Sequence, residues 1–134
     1  MKVIFRGGVQ HTTAETLEVV RTGIDVLPGT ITDKTGAPLA AFSGAPYYIV
    51  QEQLHGSVDD KSVDAARLLI PKSGQLFAVR CAVGQTIARD AALEIDAAGV
   101  VKVSSAGVAS STLFAQEDVT GVTVAGQLIP VRVK

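Results

Sequence analysis

The chain has 134 residues, enough for a single domain that buries roughly two thirds of its unfolded surface. With 12 Lys and Arg against 13 Asp and Glu the formal charge is -1, so there is no electrostatic footprint for nucleic acid or an anionic membrane. One Cys excludes a disulfide scaffold, and a mean hydropathy of +0.34 carried by Val, Ala, Leu and Ile, with no Trp, suits strands and hints at surface covered by partners.

From Met1 to about Leu27 the sequence reads as an arm. Met1-Lys-Val-Ile-Phe-Arg6 has three apolar residues between charges, far short of the roughly 7 to 15 of an export signal, so export by that route is not expected. Gly7-Gly8 interrupts it, Gln10-His-Thr-Thr13 is polar, and Thr16 to Thr22 fits one strand. The expected body is residues 28–134, a single β-barrel domain. Leu27-Pro-Gly-Thr30 is a turn, with Pro setting φ and Gly free to take the conformation that follows. A hairpin over Thr30 to Ser43 comes next, turning at Asp33-Lys-Thr-Gly36, and then Tyr47-Tyr-Ile-Val-Gln51, the most strand-like five residues.

Glu52 to Lys61 is a polar, acidic surface loop. Val63 to Ile70 fits either a helical turn or a strand. Ser57 and Asp60 have the spacing of a capping box, but Pro71 stops any helix within about two turns, which favours a strand near Arg67 to Ile70. After a turn at Lys72 to Gln75, Leu76 to Val83 reads as a strand with Phe77, Val79, Cys81 and Val83 on one face. Gly84-Gln85 turns, Thr86 to Ala91 crosses over, and Leu93-Glu-Ile95 and Val100 to Ser104 flank a turn at Asp96-Ala-Ala-Gly99. Gly107 to Gln116 and Val119 to Val133 are the last extended stretches, with Pro130 placing its strand at an edge or bulge. Many short strands with closely spaced turns predict an all-β barrel or sandwich.

No catalytic set emerges. His11 and His55 stand in polar settings without metal-ligand spacing, and Cys81 reads as a small buried hydrophobe. No nucleophile elbow or phosphate-binding glycine loop is present. Asp59, Asp60 and Asp64, and Asp90, Glu94 and Asp96, form acidic groups that follow no calcium-loop pattern, and read as solvated loops. The Gly99 hairpin lacks the tip lysine of a lipoyl or biotinyl carrier. The expectation is a protein that is not an enzyme, with no cofactor, no metal, no nucleic acid partner and no membrane span.

Taken in order, Leu27-Pro-Gly-Thr30, a strand ending near Phe42, Tyr47-Tyr-Ile-Val50, a loop with Gly56 and Val58-Asp-Asp60, Gly84-Gln-Thr-Ile87, Leu93 and Asp96-Ala-Ala-Gly99 resemble the decoration, or cement, proteins of tailed-bacteriophage heads. The resemblance covers about Arg21 to Lys134. It implies a compact β-barrel or β-tulip-like body with an extended N-terminal arm, made in the host cytoplasm and placed in many copies on the outer capsid surface. There it would stabilise the expanded shell by bridging neighbouring major capsid subunits, as a homodimer or homotrimer. An arm that adds a strand to a neighbour gains main-chain hydrogen bonds and buried apolar area, so Val3, Ile4, Phe5, Leu17, Val19 and Val20 are the expected capsid-binding residues. The alternatives are that the segment is simply the first barrel strand, and that the protein is a tail or baseplate component or a small β-barrel ligand-binding module.

Overall fold

A computed structural model describes residues 14–53, 56–105 and 112–134, and these form an all-β fold. Its strands are β1 (Glu15–Val26), β2 (Ile31–Thr32), β3 (Tyr48–Val50), β4 (Ser62–Ile70), β5 (Leu76–Cys81), β6 (Ala92–Ala97), β7 (Val100–Val103), β8 (Leu113–Ala115) and β9 (Gln127–Val133). The first four make a sheet ordered β1-β4-β3-β2, and the other five close a barrel in the order β5-β7-β6-β8-β9. Closure removes the free edges that an open sheet leaves exposed. The closing seam is short: β5 runs parallel to β7 through the single pair Cys81–Val101, while β5 and β9 pair over six residues on the other side.

Period-two alternation decides which residues fill the interior. Phe77, Val79, Cys81, Leu93, Ile95, Val101, Leu113, Ile129 and Val131 form the barrel core, and Ile31, Ile49 and Leu69 of the sheet join it. Ala78 and Arg80 are buried as well, because the outer face of β5 lies beneath the neighbouring sheet and its loops. On the other side of β4 a second, smaller cluster collects Ile24, Val26, Val50, Ala66 and Leu68.

Several expected elements change length. Thr30 to Ser43 closes as a hairpin at one pair only, Thr32–Pro38. The Asp33 carboxylate accepts the Thr35 and Ala37 N–H groups and the Thr35 hydroxyl, which tightens the turn. Leu39 then bonds across to Ile31 and to Gly99 instead of extending a ladder, and Phe42 packs edge-on against Tyr47 with ring centroids 5.1 Å apart. β4 is longer than expected, since β1 and β3 pair on its two sides. Ser57 and Asp60 make only one of the two bonds of a capping box: the Ser57 N–H donates to Asp60 Oδ2, whereas the Asp60 N–H donates to the Ser57 carbonyl and Ser57 Oγ accepts from Asp59, around a turn with no helix after it.

Pro130 sits in neither an edge strand nor a bulge. It lies in β9 opposite Ala78, with its carbonyl accepting from Gln116 just past the end of β8. Its missing N–H therefore faces the place where the short β8 ladder has stopped.

Of the segment read as an arm, residues 1–13 lie outside the described part, and Glu15–Val26 forms β1, paired with β4. The ladder runs in register from Glu15–Ile70 to Val20–Ala65, then shifts before Asp25–Val63. Four residues of β1 are set against Asp64 alone in that interval. Gly23 at φ 98° and Asp64 at φ 59° absorb the irregularity, with the Gly23 N–H donating to Asp64 Oδ1 at 2.9 Å. Ile24 at the end of the bulge and Val26 beyond it turn into the second cluster, so this end of the segment is anchored to the body.

Candidate partner-binding surface

Two of the motifs met in the sequence come together at one junction. The Asp96–Gly99 turn closes as a two-residue loop, with Ala97 paired to Val100 and positive φ at Ala98 (49°) and Gly99 (76°), the conformation favoured between twisted strands. Its tip lies on the first residues of β2. Ile31 N–H donates to Gly99 O at 3.0 Å and Gly99 N–H to Leu39 O at 2.8 Å. A Cβ on Gly99 would stand 2.4 Å from Ile31 O, so only glycine fits.

The Leu27-Pro-Gly-Thr30 turn is held from the opposite side by Arg80, which the sequence reading passed over. Its guanidinium donates to the carbonyls of Pro28 (2.7 Å), Gly126 (2.9 Å) and Val58, and its own N–H donates to Gly29 O at 3.0 Å. Burial lowers the guanidinium's pKa, opposed by the Asp59 carboxylate, yet a buried cation answered by backbone carbonyls is a structural clamp. An arginine inside an otherwise apolar run, Leu76 to Val83, was the available signal.

The expected partner-binding residues divide three ways. Val3, Ile4 and Phe5 lie outside the described residues, as do His11 and His55. Leu17 and Val19 are half-buried against the second cluster. Val20, on the opposite face of the strand, is 85 % exposed. Among the described residues β1 is the terminal strand of its sheet, with β4 on one side only. A groove of about 300 Å³ runs over β1 and β4, lined by Glu18, Val20, Gln51, Glu52 and Ala65 among others. Gln51 Oε1 is buried there without a hydrogen-bond partner among the described residues.

Cross-strand charge fixes the register around the groove. Glu18 stands opposite Arg67 and pairs with it at 2.7 Å, Glu15 pairs with Lys72, and Lys61 reaches Asp25 at 3.6 Å. Exposed pairs like these contribute about 0.2 to 1 kcal/mol each, so they orient the strand more than they stabilise it. Chemically, an edge strand offers peptide N–H and C=O groups to a further strand, with alternate side chains setting specificity.

The other acidic residues have local duties. Asp60 accepts the Ser57 N–H and Asp64 the Gly23 N–H, while Asp90 pairs with Arg132, and Glu94 and Asp96 both pair with Lys102. Among the described residues no three His, Cys, Asp or Glu converge as metal ligands. Burial pushes the Cys81 thiol up to about 11, against a weak bond to Ala82 O, so it is protonated and inert at neutral pH.

No protein-family model matches this chain, and no curated protein matches it.

Proposed function

We propose that the protein is a virion structural protein, a decoration or cement protein that binds the outside of a tailed-phage head and stabilises the expanded shell by bridging neighbouring major capsid subunits. It works by binding alone, without cofactor or metal. The observation that carries this reading is the way the chain enters its fold. Residues 1–13 lead into a terminal sheet strand whose far end is anchored by Ile24 and Val26 and whose near end carries the exposed Val20. A closed barrel packed with side chains provides a rigid body behind that entry point, and multiplicity on a shell turns modest single contacts into firm attachment. The motifs that carry the resemblance supply that body.

The test is cosedimentation of the purified full chain with undecorated shells of its source virus, compact and expanded. Saturable binding to expanded shells, in a ratio matching a local symmetry axis, is expected, and deletion of residues 1–13 should abolish it while the melting temperature stays unchanged. The deletion stops there because Glu15 onward pairs with β4. Absence of binding to either shell would overturn the proposal and favour a tail or baseplate role.

A further inference from the structure

Where β3 stops, its neighbour β4 runs on. The β3–β4 ladder pairs Ile49 with Leu69 and Val50 with Leu68, and the Gln51 N–H adds one bond to Arg67 O at 2.9 Å. In an antiparallel ladder residues two apart turn their N–H and C=O to the same side, so those of Ala65 face the way Arg67 O does. On that side no strand residue is paired with Ala65 among the described residues. Gln53 then returns to the chain just ahead of β4, its Nε2 donating to Lys61 O. The groove of about 300 Å³ is lined by Gln51–Gln53 and by Ser62, Ala65 and Arg67 of the β4 side. That volume is at the lower limit of ligand sites and fits one long side chain, not a further strand.

The lining is rich in acceptors and short of donors. Gln51 Oε1 is shielded from water and meets no donor among the described residues, a cost that an entering donor would remove. Glu52 is half-buried beside it, and its carboxylate takes part in none of the ion pairs among the described residues. The one cation of the lining, Arg67, is already paired with Glu18 at 2.7 Å. The groove therefore holds an unanswered carboxylate and an unanswered amide oxygen next to each other in sequence.

We infer that the groove receives the guanidinium of an arginine carried by a partner protein, with Gln51 Oε1 and the Glu52 carboxylate as its acceptors. Charge and hydrogen bonding select that occupant together. An apolar or anionic side chain would leave Gln51 Oε1 unmet and would lie against Glu52, whereas a guanidinium offers five donors on a planar, weakly hydrated fork and can serve both groups at once. Gln51 presents Oε1 by turning its terminal amide, a torsion with broad wells. The inference goes beyond the decoration reading and does not require it; its test uses no shells, so the two fail separately.

The experiment is an NMR titration of the nitrogen-labelled full chain with Nα-acetyl-arginine amide, with agmatine, and with Nα-acetyl-citrulline amide, which keeps the shape of arginine without the charge. The arginine probe should saturate with a Kd on the order of millimolar, shifting the amides of Gln51–Gln53, Ala65 and Arg67 and the side-chain amide of Gln51. Citrulline should bind at least about tenfold more weakly. Glu52→Gln should weaken the arginine probe at least about fivefold with an unchanged melting temperature, and Gln51→Met should weaken it as well. If Gln51→Met fails to fold, Glu52→Gln and the citrulline comparison decide. No saturable shift at these residues, equal binding of citrulline, or undiminished binding by Glu52→Gln would overturn the inference. Binding of agmatine without the arginine probe would assign the groove to a small free cation and overturn the protein partner.

Discussion

The junction around Gly99 and Arg80 and the outer half of β1 differ in how much of their environment the protein itself supplies. At the junction, the Leu27–Thr30 turn, the start of β2, β5 and the β6–β7 tip satisfy one another's backbone groups at distances of 2.7 to 3.0 Å. Along β1 from Glu15 to Val20, one side is paired with β4 and the other has no partner strand among the described residues; Leu17 and Val19 pack on the second cluster, while Glu15 and Glu18 are held by exposed ion pairs. Of the turns read in the sequence, Leu27–Thr30 and Asp96–Gly99 meet at the junction. The junction describes how the body is built, and the edge is where the proposed attachment would act.

The contrast breaks most severely at Gly99. Gly99→Val forces a β-branched side chain into a positive-φ turn and against Ile31 O, and should cost more than about 3 kcal/mol in urea unfolding, or prevent folding. A loss under about 1 kcal/mol would mean that the hairpin tip lifts freely from β2. Arg80→Met comes next. It removes the donors to Pro28, Val58 and Gly126 and leaves those carbonyls underneath an apolar side chain, for an expected loss of about 2 to 4 kcal/mol. Faster hydrogen exchange at Gly29 and Thr30 would locate the damage at the junction, and unchanged stability would remove Arg80 as its clamp. At the small end, Val20→Ser on the 85 % exposed edge should shift stability by less than about 0.5 kcal/mol. A larger loss by the same unfolding measurement would show that the edge is already covered by another part of the chain.

Turn chemistry was the most legible part of the sequence. Asp33 at the head of its turn, Gly29 and Gly99 at positive φ, and the break at Lys72–Gln75 act through adjacent residues, so local composition was enough to place them. The strands that follow were readable for the same reason, as at Tyr48–Val50 and Leu76–Cys81. Strand length was less so. Pro38 to Ser43 has the composition of a strand but is drawn away by Gly99 and Tyr47, and Ser62 to Ile70 becomes a long strand only because two neighbours pair with it. Both outcomes depend on contacts with residues distant in the chain.

The candidate surfaces show the same division. Val20 could be singled out as an apolar residue in a segment without a visible core, yet its opposite-facing neighbour Val19 is half-buried, and nothing before the pairing with β4 distinguishes the two.

Composition and turn residues, acting over a few positions, determined that this chain is all-β, lacks a disulfide framework and turns where it does. Tertiary structure alone decided that five strands close while four remain open and that Arg80 is buried beneath three carbonyls. The physical reason is range. A turn is set by the conformational preferences of its own residues, whereas burial, closure and shared surfaces arise from pairing between segments tens of residues apart.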